Sequence, residues 1–229
     1  MGMVVRIVMS TRLARMRTDG DLITLTQWLS PSFPVGAFAY SHGLEAAVSE
    51  GWIEDGPGLR SWLSQTLQHG TGRNDAIWVR LGAAADLYQL TALNAEALAF
   101  APARSRRVEA ERQGAAFAKT VRAVWDVDLP DAVLPLAVGA ACGRQGMDVE
   151  IAVPLYLHAF VSNLVSAAQR LMPLGLTEAQ GVLSVLQSDV QSVAEETKGK
   201  VLEDIASHAF LSDIAAMRHE TLEPRLFQS

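Results

Sequence analysis

The chain of 229 residues is predicted to fold as an all-α single domain. About nine or ten helices are expected, in an irregular helical bundle around a central apolar helix. Three observations lead there. Apolar residues recur at the three- and four-residue spacing of one helix face. Proline, glycine and capping residues cut that pattern into pieces of ordinary helix length. No segment alternates in the period-2 manner of a half-buried strand. Short elements are too many for a simple four-helix bundle, and no tandem repeat or low-complexity linker divides the chain.

The first stretch, Met1–Arg17, carries Arg6, Arg12, Arg15 and Arg17 without an acid. Residues 1–20 read as a disordered extension, with Met9 and Met16 as further candidate starts beside Met1. Asp21 then reads as an N-cap, followed by Leu22, Leu25, Trp28 and Leu29 at helical spacing. Ser30–Gly36 stops that helix, because Pro31 and Pro34 lack backbone donors and force extended neighbours. An apolar loop with Phe38 and Tyr40 leads into a short helix ended by Gly51. Pro57 suits a first helical turn, and Leu59, Trp62, Leu63 and Leu67 form one stripe behind it. The spacing predicts one further helix over 74–90 and a long helix over 103–125, polar at first and then small-faced at Ala115, Ala118 and Val121. Residues 132–144 and 149–171 are apolar on most faces and belong at the centre. Thr177 and Gln180 have capping-box form, opening a helix through Leu183, Leu186, Val190 and Val193. Two short helices and a tail over 217–229 complete the reading.

Apolar residues are 49% of the chain, charged residues 19%, and the formal net charge is −6. This balance lacks the basic stripe that phosphate neutralisation needs, so a nucleic-acid partner is not expected. No uninterrupted apolar run reaches the roughly 18–20 residues of a membrane span. A cytoplasmic protein without a membrane partner is expected. The lone cysteine, Cys142, cannot form an internal disulfide.

Motifs that announce chemistry are missing. His42, His69, His158, His208 and His219 show no pairing at three or four residues, and there is no Cys-x-x-Cys or His-Glu-x-x-His. His158, in an apolar run, reads as a core histidine. Thr197-Lys198-Gly199-Lys200 lacks the glycine spacing of a phosphate-binding loop. Ser41-His42 are neighbours, and catalytic partners meet through the fold rather than along the chain. No catalytic residue, bound cofactor or metal ligand is expected, and the chain is not expected to be an enzyme. Two segments stand out instead. The loop 30–45 combines prolines, glycines and aromatics with one acid, Glu45. The tail puts Arg218, His219, Glu220 and Arg225 beside Leu222, Leu226 and Phe227, a mixture typical of interface centres.

The run from Leu25 to Glu45 (LTQWLSPSFPVGAFAYSHGLE), the run from Ser162 to Gly175 (SNLVSAAQRLMPLG) with Gln180 beyond it, and the run from Asp213 to Leu222 with Arg225-Leu226-Phe227 resemble, in that order, three signatures of the urease accessory proteins called UreF. Arg104, Arg107, Glu109 and Gly114 fall where that family has its polar helix. The chain departs from the family at Glu223-Pro224, where a Tyr-Ser pair is usual, and at Gln228, where an arginine is frequent. The resemblance implies a helical homodimer that binds a UreD/UreH-type accessory protein. Together they recruit and regulate the GTPase UreG for GTP-dependent nickel insertion into apo-urease. Nickel and GTP would be handled by the partner complex. Carried over by position, Tyr40, His42, Glu45, Arg170 and Gln180 would face the GTPase. Arg218, His219, Glu220 and Arg225 would lie in a tail ordered by the other accessory protein. Two alternatives stay open: a small helical ligand-binding protein or enzyme using the 30–45 loop as a pocket wall, and a chain that carries nickel itself.

Overall fold

The computed structural model describes residues 19–229; the extension expected at the start falls on residues 1–18, which lie outside them. Among the described residues the fold is all-α, with ten α-helices, two 3-10 turns and no strand. In order these are α1 (Asp19–Trp28), a 3-10 turn (Ala37–Ala39), α2 (Leu44–Ser49), α3 (Gly56–His69), α4 (Thr71–Ala84), α5 (Leu87–Ala99), α6 (Arg104–Trp125), α7 (Leu134–Gln145), α8 (Val149–Leu171), α9 (Leu176–Glu196), a second 3-10 turn (Leu202–Asp204) and α10 (Phe210–His219).

Several elements form where the local chemistry put them. Asp55 caps α3 by accepting from Gly58 N at 2.8 Å, with Pro57 in the first turn. Leu59, Leu63 and Leu67 are fully buried along one face. α8 spans the predicted residues and supplies the centre of the core, packing on α9, α4, α7 and α2. It is also the one helix among the described residues long and apolar enough to cross a membrane by length and composition, and half of its apolar window is buried inside the domain.

Three local expectations fail for identifiable reasons. The single helix expected over 74–90 is two helices, broken at Ala85-Asp86. Asp86 accepts from Gln89 N at 2.8 Å while the Gln89 side chain accepts from Asp86 N at 3.0 Å, a reciprocal cap that starts α5 afresh. Asp21 lies within the first turn of α1, two residues past the start, where its charge complements the helix dipole instead of capping. Thr177 is likewise inside its helix: α9 starts at Leu176 after Gly175, with no side-chain cap.

The tightest helix pair is α4 with α7. Gly139 and Gly143 of α7 face the backbone of α4, and a β-carbon at either would collide with the Val79 or Ala83 carbonyl. The apolar centre extends into the 30–45 loop. Trp28 meets Phe117 and Trp125 edge-on, each at 5.6 Å, and Phe33 lies 5.4 Å from Phe117. A loop that delivers an aromatic ring to the core is fixed in place by it.

Candidate partner-binding surface

The loop 30–45 and the tail 217–229 are predicted as two separate patches. The fold brings them together. Gly36, at φ 72, turns the chain into the 3-10 turn, and Asn163 of α8 holds that turn by donating to Ala37 O at 3.1 Å. The tail then runs alongside through a series of bends. Gln228 N donates to Ala39 O at 2.8 Å, and Ser41 N donates to Ser229 O at 2.7 Å. The Ser41 hydroxyl adds a bond to the same Ser229 oxygen at 2.6 Å.

Glu45 is the anchor of this arrangement. It sits in the first turn of α2 and is only 6% exposed. Its two oxygens accept from Leu226 N at 2.6 Å and Phe227 N at 3.0 Å. The His219 Nε2–H donates to the same carboxylate at 2.8 Å, and His219 is fully buried. A buried carboxylate is tolerated only when its lone pairs are filled, and here three tail donors fill them. Glu45 and His219 thus bind the chain to itself instead of facing solvent, and Tyr40 is buried as well.

The exposed members surround that latch. The Arg170 guanidinium lies between the Phe38 ring at 4.0 Å and the Phe227 ring at 4.2 Å, and donates to Phe38 O at 2.8 Å. One arginine of α8 therefore clamps loop to tail. Phe38 is left 64% exposed and Leu226 66% exposed, two apolar side chains beside a cation. Arg218 pairs with Glu50 and stands 5.2 Å over the Trp52 ring. Glu220 accepts from Ser105 N at 2.8 Å, capping α6 from another part of the chain. Arg225 is exposed. Gln180 lines a separate groove of about 450 Å³ between α8 and α9, with Ser162, Ser166 and Gln169. His158 is exposed on that groove, not in the core as its apolar neighbours suggest, because its face of α8 is the one α9 leaves open. Phe210, Leu211, Ile214 and Met217 are exposed apolar side chains of α10.

Behind the latch lies a second polar cluster that residue spacing does not reveal. Glu109 of α6 is 2% exposed. It accepts from His42 Nε2 at 2.8 Å, Gln113 Nε2 at 3.0 Å, the Arg106 guanidinium and the Ser229 hydroxyl. Burial pushes the Glu109 carboxyl upward, but Arg106, His42 and the Ser229 bond outweigh it and hold the group at about 2. His42 takes up this position with a φ of 57, unusual for a residue other than glycine. Burial, then the Arg106 charge, lowers its pKa, so the imidazole is neutral at neutral pH.

Glu109 also borders a half-open cleft of about 100 Å³ lined by α4, α6, the α5–α6 connection, the start of α7, Tyr156 of α8 and the His42 turn. Inside it, Tyr156 donates to Asp75 at 2.8 Å. Burial raises Asp75 to about 7, with the tyrosine bond opposing the rise. An unfolded aspartate releases its proton near pH 4, whereas the folded one holds it to about 7, so Asp75 erodes stability progressively between those values. Above pH 7 the loss is constant. In urea melts from pH 4 to 8, Asp75→Asn is expected to gain stability over the parent chain across that window, by at most about 4 kcal/mol. A constant difference between the two proteins at every pH would exclude this assignment.

Among the described residues no group of three or more His, Cys, Asp or Glu side chains is placed to hold a metal ion. A family model described as UreF matches residues 53–187. A protein of Cereibacter sphaeroides, named urease accessory protein UreF, is 48% identical over 208 residues, covering 91% of this chain and 98% of the relative. Proteins of the same name from Ruegeria pomeroyi and Ruegeria sp. TM1040 are 43% and 44% identical, each over 93% of this chain, covering 98% and 100% of the relative.

Proposed function

The chain belongs to the UreF family of urease accessory proteins, and we propose that it serves urease maturation as a non-catalytic coupling subunit. With a UreD/UreH-type protein it recruits and regulates the GTPase UreG for GTP-dependent nickel insertion into apo-urease. It acts in the cytoplasm as a homodimer. Nickel and GTP stay with the partners, and this chain contributes surface and geometry.

One observation carries this reading: Glu45 and Arg170 fasten the tail to the loop. The two segments with an interface-like composition become a single continuous face. Its exposed elements are Phe38, Arg170, Arg218, Arg225 and Leu226, the mixture of aromatic, arginine and aliphatic side chains from which interface centres are built. Such a face is preordered, so a partner that docks on it need not bear the entropy of folding the tail.

The test is co-purification with a UreD-type protein and a UreG-type GTPase. The full chain is expected to bring down both. A chain lacking Met217–Ser229 is expected to lose both, and Arg218→Glu to weaken assembly while retaining helical content. If the truncated chain and Arg218→Glu both assembled normally, the proposed face would be wrong.

A further inference from the structure

We propose that Glu109 of α6 is a positioning residue for the docking face: it stays inside the domain and sets where the loop and the tail present Phe38 and Leu226. This role rests on the docking face proposed above.

A carboxylate has about four acceptor positions, and on Glu109 all of them are taken within the chain. Oε1 accepts from His42 Nε2 at 2.8 Å and from Gln113 Nε2 at 3.0 Å. Oε2 accepts from the Arg106 guanidinium and the Ser229 hydroxyl. Arg106 and Gln113 lie one turn before and one turn after Glu109, so α6 aims the carboxylate by itself. The other two donors come from the loop and from the tail. At 2% exposure, Glu109 has no face left for a partner and can act only through the residues it holds.

His42 holds a φ of 57, a conformation that costs a residue other than glycine energy and persists only where its surroundings enforce it. Here the imidazole is held between Glu109 on α6 and the Phe160 ring of α8, edge-on at 5.1 Å. Loop and tail also bond to each other, through Gln228 N to Ala39 O and Ser41 N to Ser229 O. Those bonds join the two segments, and anchors on the helices fix where the pair sits. Asn163 and Arg170 hold the loop on α8. Glu45 holds the tail on α2 at Leu226 and Phe227. Glu109 carries the far end of the pair, His42 and Ser229 together, onto α6. That helix is fixed in the core by Phe117, Ala118 and Val121, all buried, so it gives the face a rigid reference.

The experiment uses the full chain. Amide exchange by NMR is read on the chain alone, and affinity is read with the UreD-type protein and the UreG-type GTPase together. Ser229→Ala removes one hydroxyl and leaves Glu109 paired with Arg106. It is expected to speed exchange at Ser41 and Gln228 about tenfold or more and to weaken partner binding about tenfold, while Glu45 keeps Leu226 and Phe227 protected. Glu109→Gln is expected to act in the same direction more strongly. Adding Ser229→Ala to it is expected to change little further, because the two side chains act through one bond. If Glu109→Gln does not fold, Ser229→Ala decides alone. Parent-like affinity in Ser229→Ala would overturn the positioning role and leave the docking face standing. Full additivity of the two substitutions, or equal loss of protection at Leu226 and Phe227 in Ser229→Ala, would overturn it too. A parent chain that bound neither partner would sink the docking face, and the positioning role with it.

Discussion

Gly139→Ala is expected to destabilise the domain by about 3 kcal/mol or more, visible as a lower denaturant midpoint and poor soluble yield. The direction is opposite to what helix propensity dictates. An alanine inside a helix is ordinarily better than glycine by roughly 1 kcal/mol. At Gly139, however, the added carbon meets the Val79 carbonyl and lies 3.0 Å from the Ala83 amide nitrogen, both backbone groups of α4. Backbone cannot swing aside as a flexible side chain does, so α4 and α7 must separate. Those two helices carry Ile77, Val79, Leu136 and Val138, all fully buried, and their separation opens the core. Gly181→Ala supplies the contrast. Gly181 is an interior residue of α9 with nothing within 4 Å of a β-carbon, and alanine there is expected to raise stability by about 0.5–1 kcal/mol. If both substitutions moved the midpoint the same way, the close α4–α7 approach would be in error.

Glu45→Ala is the second large effect, and it is local. The substitution strands Leu226 N, Phe227 N and His219 Nε2 without their acceptor. Hydrogen bonds to a charged group are worth about 1.5–3 kcal/mol each, and unsatisfied buried donors cost similar amounts. The tail is expected to open about thirtyfold more often or worse, because about 2 kcal/mol corresponds to that ratio. Limited proteolysis in the tail is expected to accelerate by that factor while far-ultraviolet circular dichroism stays near that of the parent chain. Glu45→Gln is expected to fall between the two, since an amide has one acceptor oxygen and turns two donors toward the tail amides. A tail equally resistant in all three proteins would mean that Glu45 does not hold it.

Much of the fold was legible in residue spacing, and the reason is local. α8 appears at its predicted bounds because its apolar pattern carries through, and α3 has the predicted Pro57 in its first turn, with an Asp55 cap ahead of it that the structure adds. The α4–α5 break was missed although Asp86 and Gln89 carry the signal, because the apolar period continues across Ala85. The candidate site was legible as two segments and not as one. Glu45 lies 174 residues from His219 and 182 from Phe227, and no local pattern reports such a meeting. Burial is the other blind point. Glu45, Glu109 and His219 have the residue types of a surface, yet tertiary partners satisfy them inside. His158 shows the converse, an exposed residue in an apolar run.

The docking face depends most directly on a tail that this chain holds by itself, before any partner arrives. Amide hydrogen exchange by NMR on the isolated full chain measures it residue by residue. Slow exchange is expected at Leu226, Phe227 and Gln228, whose amides are bonded to Glu45 and Ala39, with loss of that protection at Leu226 and Phe227 in Glu45→Ala. Exchange at those three amides as fast as in an unfolded peptide, in the parent chain itself, would contradict it.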